Sequence, residues 1–194
     1  MNKLAKVIRV LTISPIMALM LCLVLNFTIS ESFSSVLFLL ITIFCLSIFP
    51  VLAYPVERKF HILNKLNGSL TIRAAERKLA IIFSCISYLV IFILSLIVNE
   101  PIVIKQLTLT YLISGLLIFI SSFIFKVEAS GHMCGIVGPI VFLCAKVSLW
   151  FLLILVPLTF VIWSSLKLKR HTILELSLGS IIPIIGFIIA LLVF

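Results

Sequence analysis

The sequence predicts an all-α fold, a polytopic transmembrane bundle of about seven helices forming one integral membrane domain over residues 1–194. Three observations lead there. Of the 194 residues, 63% are hydrophobic and the mean hydropathy is +1.42, more apolar surface than a soluble domain of this size can bury. Apolar runs of membrane-crossing length recur along the chain. The basic residues fall in alternate connections.

The first apolar run, about 7–27, is long enough to cross a bilayer. No small-residue cleavage site follows it, so it reads as a membrane helix and not a signal peptide. Runs at about 34–54, 79–98 and 106–125 each have roughly the 20 residues that ~30 Å of hydrocarbon requires at 1.5 Å per residue. Between the second and third, Val56, Phe60, Leu63 and Leu66 recur at helical spacing among basic residues, which predicts an amphipathic segment on the membrane surface over 55–70. His61 belongs to that segment and not to a site. Residues 132–165 as one helix would be ~50 Å long, too long for a bilayer without steep tilt. Divided into 132–145 and 148–165, they form a short hairpin with Lys146 at its turn. The last span covers about 172–194. Trp150 and Trp163 read as interfacial anchors.

Charge selects the seven-span path. It places Lys3, Lys6, Arg9, Arg58, Lys59, Lys65, Arg73, Arg77, Lys78, Lys126, Lys167, Lys169 and Arg170 on one side and only Lys105 and Lys146 on the other. By the positive-inside rule the amino terminus is cytoplasmic and the carboxy terminus outside, as for a multi-pass protein of the plasma membrane. The net charge of +9 is then topogenic, and nucleic acid is not expected as a partner. All six acidic residues are glutamate, which excludes aspartate-rich magnesium motifs; neither a metal nor a cofactor is expected. The five cysteines lie scattered in apolar runs without paired spacing, as buried, inert thiols do.

This topology brings three segments to the cytoplasmic boundary. At Ser130-Gly131-His132 a small-residue turn opens an apolar helix, where backbone N–H groups can face an anion; close helix packing is the alternative use of these small residues. His171 and Glu175 are four apart and share a helix face, so the carboxylate can hold one imidazole nitrogen and leave the other as nucleophile or base. A carboxylate near a helix amino terminus is also favoured electrostatically. Arg73 and Arg77, four apart, can grip a phosphate by forked hydrogen bonds, or serve only as positive-inside charge.

The order of these pieces resembles the type-2 phosphatidic acid phosphatase superfamily, membrane relatives of bacterial acid phosphatases and vanadium haloperoxidases. Its Ser-Gly-His motif stands here as Ser130-Gly131-His132. Its Ser-Arg-x5-His-x3-Asp motif stands as Ser164-Ser165, five residues, His171 and Glu175. Ser165 replaces the motif arginine, Glu175 replaces aspartate, and the family's Lys-x6-Arg-Pro motif has no clean match. The resemblance covers about 126–186, is weaker over 73–98 and leaves out the spans within 7–54, so residues 73–194 would form the phosphatase-like core.

It implies a metal-independent phosphatase acting on a lipid or isoprenoid phosphate. His171 would form a phosphohistidine with Glu175 orienting its ring, and His132 would serve as general acid and base. Arg73, Arg77, Ser130, Gly131 and Arg170 would hold the phosphate. By the same resemblance, Ser165→Arg should raise activity. The alternative is a catalytically degenerate relative that binds anionic lipid or a membrane partner.

Overall fold

Hydroxyl side chains start most of the helices in the computed structural model, which describes residues 13–63, 71–167 and 172–194. Ser35 accepts from the Phe38 N–H at 3.1 Å, Thr71 from Ala74 at 3.3 Å and Ser130 from Met133 at 3.4 Å. Each satisfies an amide that the first helical turn leaves unpaired. The helices so begun are α2 (Val36–Phe60), α3 (Ile72–Ile97) and α5 (Gly131–Lys146), and Thr172 caps α7 (Ile173–Val193) in the same way. The others are α1 (Ser14–Thr28), α4 (Ile102–Phe123) and α6 (Leu155–Lys167, after a 3-10 turn at Leu149–Ile154). No strand occurs among the described residues, and the chain is an all-α bundle.

α2, α3, α4 and α7 are long and apolar enough to cross a membrane. α1 and α5 are shorter apolar helices; α5, with 16 residues, is about 24 Å long. Within α2 a π-helical turn, Phe44–Ile48, joins two α-helical stretches. It ends two residues before Pro50, which lacks an N–H and would press its ring on the carbonyl one turn back, so the widened turn relieves the crowding.

Contacts along the helices give their directions. α3 and α4 are antiparallel, with the Tyr88 and Tyr111 rings 5.4 Å apart and the Ser95 and Thr108 hydroxyls 3.2 Å apart. α2 and α3 are antiparallel too, joined by the stacked Phe49–Phe83 pair at 5.3 Å and the Arg58–Glu76 ion pair at 2.5 Å. α5 and α7 run parallel. Gly179 faces Ser130, a Cβ at Gly138 would lie 3.3 Å from Pro183, and Phe142 meets Phe187 at 5.3 Å. α1 is parallel to α5, with Ser14 against Gly135 and Leu25 in the same cluster as Phe142 and Leu143. Parallel neighbours require a return path, and α6 lies on it, its Leu158 and Ile162 packed on the cluster of Met133, Ile136 and Ile140.

One end of the bundle therefore gathers Arg58, Arg77, Lys78 and Lys126, while Lys105 and Lys146 lie at the other. At that other end the carboxylate of Glu100, 1% exposed, accepts from the Ser34 N–H at 3.0 Å and from the Ser34 hydroxyl. Lys105 donates to Asn99 at 2.6 Å.

Two expectations change. The sequence places 55–70 in a separate surface segment, but α2 continues through Pro55 to Phe60. Glu57 is 1% exposed and accepts from the Leu63 N–H at 3.0 Å; Arg58 is held by Glu76. His61, in the left-handed conformation at φ 52°, stops the helix, and residues 64–70 lie outside the described residues. α3 also begins earlier than 79, because Arg73, Arg77 and Lys78 mark the edge of the apolar run and not the end of the helix.

Small residues set the closest crossings. A Cβ on Gly179 would collide with the Ser130 carbonyl, and one on Gly135 would lie 2.9 Å from the Ser14 Cα. Gly179→Leu should therefore lower the unfolding temperature of the purified protein by roughly 5–10 °C through overpacking. Gly131→Ala is the control for a thermal melt, because nothing lies within 4 Å of its Cβ position, and it should melt with the wild type.

Candidate functional site

A cavity of about 450 Å³ opens at the basic end of the bundle. Ser14, Arg77, Gly131 and His132 line it there. Arg77 is in the second turn of α3 and His132 in the first turn of α5, and the opposed directions of α3 and α4 bring both turns to one end. Deeper, α3 contributes Ala80, Ile81, Ser84 and Tyr88; α4 contributes Thr110, Tyr111 and Ser114. On the flank facing α2 stand Leu46, from the π-helical turn, with Val51 and Tyr54.

The interior is less polar than its residue names imply. Ser84 donates to the Ala80 carbonyl at 2.8 Å, Thr110 to Gln106 at 2.7 Å and Ser114 to Thr110 at 2.7 Å. These hydroxyls are turned back onto their own helices, leaving methylene, methyl and aromatic surface to the cavity. Polarity is concentrated at the mouth, apart from the Tyr111 hydroxyl, which is buried in the deeper wall without a hydrogen-bond partner among the described residues. At the mouth the Arg77 guanidinium donates to Glu128 at 2.6 Å, with both side chains about two-fifths exposed.

The residues expected from sequence separate into groups. Arg77, Gly131 and His132 share the cavity. Arg73, one turn further out on α3, is exposed and does not line it. Ser130 is fully buried. Its hydroxyl caps α5, and its N–H donates to the Glu175 carbonyl at 2.9 Å. That bond ties the opening turns of α5 and α7, so the segments carrying His132 and Glu175 are neighbours despite their separation in sequence. Glu175 forms a capping box with Thr172: its carboxylate accepts from the Thr172 N–H, and its own N–H donates to the Thr172 hydroxyl, both at 3.3 Å. His171 and Arg170 lie outside the described residues. Ser165 is 1% exposed and is not part of the cavity wall.

Sequence reasoning misses the cavity itself and the partner of Arg77. Nothing local to Glu128 signals that pairing, which arises because α4 ends where α3 begins. The cavity walls carry ordinary apolar and hydroxyl residues, and only the helix directions turn them toward one space. No family model matches the chain, and no curated protein or solved structure is found to match it.

Proposed function

We propose that this protein is a membrane-embedded, metal-independent phosphatase acting on a lipid or isoprenoid phosphate, with its site at the cytoplasmic boundary and its carboxy terminus outside. The observation that carries the reading is the placement of Arg77 and His132, from separate helices, at the mouth of one cavity beside the opening turn of α7. A phosphate held there meets a guanidinium that can fork onto two of its oxygens and an imidazole that can move a proton.

In this reading His171 attacks phosphorus through one ring nitrogen while the bond to the alcohol oxygen breaks. His132 gives that oxygen its proton. Water, deprotonated by His132, then attacks the phosphohistidine, releasing inorganic phosphate and restoring His171. Glu175 orients the His171 ring, and Arg77 with the Gly131 backbone stabilises the charge of the transition state, Arg73 and Arg170 adding positive potential.

A second reading, non-catalytic capture of an anionic amphiphile, is favoured by the engagement of Arg77 with Glu128 and of Glu175 with its cap. Glu175→Gln separates the two. Glutamine can accept the same Thr172 N–H, so the capping box and the melting temperature should survive. On the phosphatase reading, phosphate release by purified protein from a panel of lipid phosphates should fall at least tenfold, and His171→Ala should abolish it. No release by the folded wild type would leave the binding reading in its place.

A further inference from the structure

We infer that the cavity takes the hydrocarbon tail of the bound amphiphile, and that its depth selects a tail of about a dozen carbons. This rests on the reading of the mouth as a phosphate site, but it concerns the space behind the mouth. On α3 the wall takes one residue or pair per turn, from Arg77 through Ala80 and Ile81 to Ser84 and Tyr88. That stretch is about 16 Å long at 1.5 Å per residue. One extended chain of roughly a dozen carbons fills this depth.

The walls suit a tail. Ser84, Thr110 and Ser114 satisfy their hydroxyls on their own helices, so an alkyl chain strips no needed hydrogen bond from them. The way in is sideways. α1 packs on α2 chiefly through the Val36–Ile48 stretch, and toward the basic end the two helices part. Ile13 (37%), Val51 (40%) and Tyr54 (37%) are exposed there and also line the cavity. A chain sliding through this gap passes from lipid to protein without its methylenes entering water, while its head stops at Arg77.

The test uses the full-length protein in discs of phosphatidylcholine, with binding read by displacement of radiolabelled dodecyl phosphate. Unlabelled dodecyl phosphate should displace it at concentrations at least tenfold lower than octyl phosphate, octadecyl phosphate, dodecanol or inorganic phosphate. Ser84→Phe fills about one helical turn of depth, ~5.4 Å, and should move the best chain about four carbons shorter. Thr110→Leu, beside the Tyr88–Tyr111 pair at the deep end, should do the same by a smaller step if Ser84→Phe proves unfolded. Equal displacement by octyl, dodecyl and octadecyl phosphate, or a chain-length profile indifferent to folded forms of both variants, would overturn the inference. A chain-length profile without phosphate release would support the tail pocket and remove only the catalysis proposed above. Release without such a profile would do the reverse.

Discussion

Arg77→Ala should weaken capture of dodecyl phosphate by more than a hundredfold, a larger loss than deletion of one favourable contact produces. A charge-assisted hydrogen bond is worth about 1.5–3 kcal/mol, or roughly 10–150-fold in affinity. The structure adds a second effect, because Arg77 is the partner of Glu128 across 2.6 Å. Without the guanidinium, that carboxylate faces an incoming phosphate with like charge, and charges close together near a protein surface repel by a few kcal/mol. The double variant Arg77→Ala, Glu128→Ala should therefore bind about tenfold better than Arg77→Ala alone, although it has lost one more polar group. Glu128→Ala alone should bind as well as the wild type or better. Titration of the four proteins with dodecyl phosphate completes the cycle. Strictly additive losses would mean that the phosphate does not share Arg77 with Glu128.

Ser165→Arg should give little or no folded protein. The motif resemblance invites the opposite expectation, since arginine at this position would supply a missing phosphate ligand. Burial decides against it: Ser165 is 1% exposed and outside the cavity wall, so a guanidinium there displaces packed side chains and faces no phosphate. An unpaired charge in such surroundings costs several kcal/mol, comparable to the whole stability of a typical domain. Size-exclusion profiles and folded yield in detergent measure the loss, with Ser165→Ala as the tolerated control. A well-folded, more active Ser165→Arg protein would show that α6 presents this position to the phosphate after all.

The helices are legible in the sequence because they answer to one simple demand. A bilayer needs about 20 apolar residues per crossing, and the hairpin expected over 132–165 appears as α5 and α6 because a single helix would overshoot it. Charged residues are where the pattern misleads. Arg58 and Lys59 look like the start of a surface segment, yet α2 carries them onward, because Glu57 turns inward and Glu76 on α3 receives Arg58. The same limit applies to the site. Arg73 and Arg77 are equivalent by spacing, but only the inner one reaches the cavity, and the difference depends on where α3 meets the end of α4. Ser130 looks like an anion cradle and is instead a joint to α7, a role set by a carbonyl 45 positions further along. Such pairings depend on helix directions, which local patterns do not encode.

Glu100 and Ser34 make the two ends of the molecule mechanically unlike. Their bonds clasp the α1–α2 and α3–α4 connections at the end remote from the arginines, while α1 and α2 diverge at the other. The bundle is built like a clothes-peg, pinned at one end and parted at the other. An amphiphile taken between the jaws would lie with its head at the arginines and its tail pointing toward the clasp.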